Sequence, residues 1–124
     1  MRFRILVVVL AMMILLGGCK LVRKKEYRYE KIAYKHPKWD ETTLRKVAAR
    51  HVEIGMTEEM VLAALGEPEF ITREGDRVRW EYAKYEQFNE SVRKIPVYFI
   101  YLKGGFVVNI GGNRDDLDYL QWYK

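Results

Sequence analysis

Between Ile54 and Pro68 the chain carries its own punctuation, and that stretch constrains the fold more than any other. Gly55 tolerates the left-handed backbone that ends a helix, and Thr57 offers a hydroxyl to an orphan N–H at the start of the next one. Glu58 and Glu59 fall in a first turn whose dipole favours anions. Val61, Leu62 and Leu65 recur at helical spacing, and Gly66 followed by Pro68 stops the element. A helix this short does not stand alone in water, so it needs a platform from the chain after Pro68. Upstream, Asp40 or Thr42 caps a helix expected to reach about Val52, with Leu44, Val47, Ala48, His51 and Val52 on one face.

The platform reads as strands. Val78, Trp80 and Tyr82 alternate with Arg79 and Glu81, the period of a half-buried strand. Glu74, Gly75 and Asp76 carry a turn signal before it. Residues 83–94 are polar, with Tyr85 and Phe88 as isolated aromatics, and read as a long hairpin loop. Ile95 to Leu102 is apolar at nearly every position, so either both faces are covered or one is offered to a partner. Lys103-Gly104-Gly105 supports a tight turn into a third strand, Phe106 to Ile110. The expected architecture is α+β: two layers, two helices packed on a three-stranded antiparallel sheet in the order ααβββ. Its expected core is Leu44, Val47, Val61, Leu62, Leu65, Trp80, Tyr82, Val97, Phe99, Val107 and Ile110.

The first segment has a different character. Met1 to Arg4 is cationic, Ile5 to Leu16 is an unbroken apolar run, and Leu16-Gly17-Gly18-Cys19 follows. These are the three regions of a secretory signal, and the run is shorter than the ~20 residues a spanning helix needs. Leu16-Gly17-Gly18-Cys19 resembles a bacterial lipobox. That resemblance implies cleavage after Gly18 and acylation of Cys19, with residues 1–18 as signal peptide. The alternative is an uncleaved anchor in which Cys19 is a plain thiol. Each buried CH₂ contributes ~0.8 kcal/mol, so two or three acyl chains hold a protein stably on a membrane. Lys20, in place of an aspartate, implies by the same resemblance delivery to the outer membrane, with the domain facing the periplasm.

Residues 19–40 read as a lipidated N-terminus and a basic, tyrosine-rich tether without sustained period. Arg23, Lys24 and Lys25 lie near the anchor, where each basic residue contributes ~1 kcal/mol towards an anionic surface. The tether is either a solvated spacer or, from Tyr27 to Tyr34, an extended edge segment beside a partner. Pro37 breaks any incipient helix and puts a boundary near Trp39. The net charge of +5, or +3 once Arg2 and Arg4 leave with the signal, excludes nothing by itself. On the secretory reading no nucleic-acid partner is expected. One cysteine excludes an internal disulfide.

The folded segment also resembles a family. A helix ending in Ile54-Gly55-Met56-Thr57, then Val61-x-x-x-Leu65-Gly66-x-Pro68, then Trp80-x-Tyr82, then apolar strands joined by a Lys-Gly-Gly turn, is similar to the SmpA/OmlA family of BamE-like outer-membrane assembly lipoproteins. The likeness covers roughly Thr42 to Ile110, within a domain of residues 41–112. It implies a fold related to one repeat of a β-lactamase inhibitor protein. It also implies a non-catalytic binding or scaffold role in outer-membrane protein assembly or envelope integrity. The implied partners are the membrane, a protein of the barrel-assembly machinery and anionic lipid. The alternatives are a lipoprotein that binds and inhibits an enzyme, or an accessory subunit of another envelope complex.

The tail, residues 113–124, is acidic and then aromatic. Asn113, Asp115 and Asp116 permit a calcium reading but lack the full loop spacing and a closing glutamate, and the rival is a solvated helix start in which Asp115 or Asp116 caps Leu117 to Trp122. Tyr119, Trp122 and Tyr123, with Tyr85 and Phe88, form the candidate partner surface; the tail aromatics are either exposed or packed on the sheet. No nucleophile–base pair, paired histidines or phosphate loop is present in the sequence, so neither an enzyme nor a metal site is expected, and the covalent lipid on Cys19 is the only attached group. Mass spectrometry of protein purified from membranes is expected to give a chain beginning at acylated Cys19. An unmodified chain beginning at Met1 would end the lipoprotein reading.

Overall fold

The computed structural model describes residues 26–117. The chain divides into two compact units, Met1–Leu44 and Arg45–Lys124. The class is α+β as expected, and the described residues hold three α-helices and a four-stranded antiparallel sheet in place of two helices and three strands.

In the first unit, residues 26–35 form helix α1, where the sequence reads as an irregular tether. Among its described residues Ile32 is the one buried large apolar side chain, so the apolar period there is too sparse to announce a helix. The helix stops ahead of Pro37, whose ring disfavours helical backbone at the residue before it. His36 and Trp39 then stack with ring centroids 3.7 Å apart. Of the two candidate caps for α2 (Glu41–Ala48), Asp40 does the capping: its carboxylate accepts from the Thr43 N–H at 2.8 Å.

In the second unit, α2 ends at Ala48, short of the expected Val52. Arg50 adopts the left-handed backbone, at φ 59°, that the sequence assigned to Gly55. Arg50 N–H donates to Val47 O at 3.0 Å and His51 N–H to Lys46 O at 2.9 Å, a Schellman closure of α2, and the Arg50 guanidinium adds a tertiary bond to the Ala64 carbonyl at 3.1 Å. Gly55 has another use. Its N–H donates to Val107 O and the Val107 N–H donates to Met56 O, each at 2.8 Å, so Gly55–Thr57 pairs with the last strand. Thr57 caps α3 (Glu58–Leu65) by accepting from the Met60 N–H at 3.3 Å. At the other end Gly66 is the C-cap, and its carbonyl accepts from the Tyr82 hydroxyl at 2.9 Å. Val61, Ala64 and Leu65 are buried along α3.

The sheet runs β1 (Phe70–Glu74), β2 (Arg77–Phe88), β3 (Ser91–Lys103), β4 (Phe106–Gly112), in that spatial order. Register puts Trp80 opposite Ile100, Tyr82 opposite Tyr98 and Leu102 opposite Val107, and all six are buried. Residues opposite one another share a face, so the core side of β3 is Tyr98, Ile100 and Leu102. The expected Val97 and Phe99 are half-buried, as are Leu62 and Ile110. An unbroken apolar run carries no phase, and the pairing with β2 decides which residues face inward. Most of the expected 83–94 loop is strand: β2 runs to Phe88 and β3 starts at Ser91, leaving Asn89 and Glu90 as the turn.

The register slips by one residue beside Tyr82 and Ala83, leaving Val97 as a bulge in β3. The Val97 carbonyl accepts from the Asn113 N–H at 2.9 Å. Gly112 is pressed against this bulge at φ +74°, and an added Cβ would lie 2.1 Å from Val97 O. Beyond it, Asn113 caps a 3-10 helix, Arg114–Asp116, by accepting from the Asp115 N–H at 3.0 Å; the helix expected after Asp115 or Asp116, from Leu117 to Trp122, extends outside the described residues. Leu117 is buried after it.

Gly112→Ala is therefore expected to lower stability by ~2 kcal/mol or more, from positive φ and collision with backbone together. Gly75, at φ +64° with open space around it, is the control, and Gly75→Ala is expected to cost about 1 kcal/mol. Urea unfolding of the two variants checks this, and equal losses would mean that the Val97 contact contributes nothing.

Candidate docking surface on the central hairpin

Past the Val97 bulge, β2 and β3 continue as a two-stranded ribbon whose residues from Tyr85 to Lys94 are exposed. Asn89 takes positive φ, 55°, at the turn, a conformation asparagine tolerates better than most residues. The Ser91 hydroxyl donates to the Phe88 carbonyl at 3.0 Å and tightens that turn. Tyr85, Phe88 and Val92 are exposed on the ribbon.

The two aromatics predicted as partner contacts do not form one patch. Tyr85 lies opposite Lys94 on one face, and Phe88, three residues on, is directed to the other. On its face Tyr85 donates its hydroxyl to Glu69 Oε1 at 2.6 Å, and Lys94 Nζ reaches Glu69 Oε2 at 3.2 Å. Lys94 also sits 5.8 Å from the Tyr85 ring centroid. The Tyr85 hydroxyl, and next to it Lys94, hold the Glu69 carboxyl below its ordinary range, against partial burial that raises it. The same carboxylate raises the Tyr85 phenol and the Lys94 ammonium. At neutral pH the trio is a carboxylate held between a phenol and an ammonium, which fixes the orientation of the Tyr85 ring. On the opposite face the Arg93 guanidinium lies 4.3 Å from the Phe88 ring centroid, a cation–π arrangement.

The eight signature residues occupy the joint between α3 and the sheet rather than this ribbon. Gly55 and Met56 bond to β4, Thr57 caps α3, and Leu65 is buried at the end of α3. Gly66 receives the Tyr82 hydroxyl, Pro68 is half-buried after it, and Trp80 is buried two residues from Tyr82. Cys19, Tyr119, Trp122 and Tyr123 lie outside the described residues. Glu69, Lys94, Arg50 and Arg114 are the structural participants the sequence did not reveal. Lys94 becomes visible only once its register with Tyr85 is known.

Elsewhere Glu53 pairs with Lys46 at 2.8 Å and with His51 at 3.3 Å. The Lys46 bond is the chief cause of its lowered pKa. Arg79 on the sheet is paired with Glu74 and with Glu81. Burial raises the Tyr98 phenol, partly opposed by Arg114. Among the described residues no cluster of three or more His, Cys, Asp or Glu side chains is placed to hold a metal ion, and no helix is long and apolar enough to cross a membrane. The chain matches no protein-family model and no curated protein sequence.

The sign of the Glu69 shift sets a pH dependence. A carboxyl depressed in the folded state stabilises above its unfolded value, near the ordinary 4.5, and that contribution is lost as pH falls through the lower folded value. Carbon-detected NMR of Glu69 is expected to give a midpoint below 4.5 that moves up in Tyr85→Phe. An unmoved midpoint would remove the phenol from the trio.

Proposed function

We propose that the chain is a lipid-anchored envelope protein of the SmpA/OmlA, BamE-like kind. On this reading Cys19 is acylated after cleavage at Gly18 and holds the domain at the periplasmic side of the outer membrane. The domain is a non-catalytic binding or scaffold module. It serves outer-membrane protein assembly or envelope integrity by engaging a component of the barrel-assembly machinery and anionic lipid.

One observation carries most of this reading. The residues of the resemblance are scattered over three stretches of sequence, yet Gly55, Met56, Thr57, Gly66 and Tyr82 converge on the two ends of α3. Each has a geometric task there, as expected if the motif describes a domain rather than a coincidence of composition. The ribbon, with Tyr85, Phe88 and Val92 exposed, is then the surface offered to a partner.

Affinity capture from detergent-solubilised membranes is the direct test, and recovery of barrel-assembly components is the expected result. Recovery of a periplasmic hydrolase instead would favour the inhibitor reading, with the ribbon as the inserting element. Deletion is expected to lower outer-membrane protein levels and detergent resistance. Unchanged levels and resistance would sink the assembly role and leave the anchored one standing.

A further inference from the structure

The two edges of the sheet are finished differently. β4 is covered along Phe106 and Val107 by Gly55–Thr57. β1, at the other edge, bonds to β2 alone among the described residues, and Phe70, Ile71, Arg73 and Glu74 are exposed. Ile71 is 60% exposed. β1 has ordinary strand length and no proline or register shift, and its only charged residues, Arg73 and Glu74, lie at its C-terminal end, leaving Phe70 and Ile71 without a blunting charge.

The backbone specifies what fits there. A two-residue turn, Gly75-Asp76, joins β1 to β2, so Glu74 and Arg77 form its hydrogen-bonded closing pair. Alternation then aims the N–H and C=O of Arg73 and of Ile71 away from β2. Donors and acceptors repeating at about 6.8 Å along a line match another extended backbone. Ile71 lies on the Trp80 side of this edge with Arg73, and Phe70 lies on the other side.

We infer that β1 is a strand-addition site for an extended segment of a protein partner, apolar where it passes Phe70 and Ile71 and acidic where it passes Arg73. The segment becomes a fifth strand. This inference stands on the sheet alone and survives if the envelope reading fails.

The test uses the full chain, isotope-labelled in detergent micelles, with two synthetic peptides. One alternates valine and threonine around a single glutamate; the other is the same peptide N-methylated at every second amide, which removes the donors of one edge. The first is expected to slow amide exchange at Ile71 and Arg73 by about tenfold or more, while Phe70 and Thr72, already bonded to β2, change little. The methylated peptide is expected to leave all four unchanged. Arg73→Pro keeps its pairing with β2, since its N–H faces outward, and is expected to weaken peptide binding by about tenfold or more. Equal effects of the two peptides, or no effect of either, would overturn the inference. So would protection of Ile71 and Arg73 that grows with protein concentration alone, which would assign the edge to a second copy of the chain.

Discussion

The reciprocal pairing of Gly55 and Met56 with Val107 is the constraint on which the second unit depends. It closes the β4 edge and sets the residue at which α3 begins, because Thr57 both bridges to Phe106 and caps the helix. Eight residues are too few for a helix to persist by local bonds. Here the first turn is tied to β4 and the last to β2 through Tyr82, so sheet and helix specify each other. Val61, Ala64 and Leu65 are buried as a consequence of being held at both ends.

What could be read from the sequence follows from where burial is one-sided. Trp80 and Tyr82 alternate with charged neighbours because one face of β2 is core, and that strand was visible. α3 was visible through its caps. The ribbon from Tyr85 to Lys94 was not, since strand alternation records one buried face and this ribbon has none. β1 was hidden for the same reason, with Phe70 and Ile71 adjacent instead of alternating. In β3 the difficulty was reversed: apolar residues at nearly every position left the inward set, Tyr98, Ile100 and Leu102, undetermined until register chose it. Of the surface, Tyr85 and Phe88 were visible as unexplained aromatics. That they point to opposite faces, and that Tyr85 is held by Glu69, requires the pairing itself.

Charge plays a local part in this molecule. Lys46–Glu53, Asp76–Lys103 and Glu69–Lys94 are all partly solvated pairs, and such pairs contribute little to stability individually. Their effect is on side-chain direction. With its hydroxyl occupied by Glu69, Tyr85 offers a ring rather than a hydrogen bond to whatever approaches the ribbon. The ribbon's course is set by the Val97 bulge, where Asn113 and Gly112 close in from the end of β4.

Arg50 links these levels across very different lengths of chain. Its left-handed backbone costs about 1 kcal/mol relative to glycine. It is compensated by a bond to Ala64, fourteen residues away, and its carbonyl is bonded by Arg114, sixty-four residues away. The termination of α2 is closed locally, by Arg50 N–H to Val47 O at 3.0 Å and His51 N–H to Lys46 O at 2.9 Å, and the two arginine contacts tie that turn to α3 and to the end of β4.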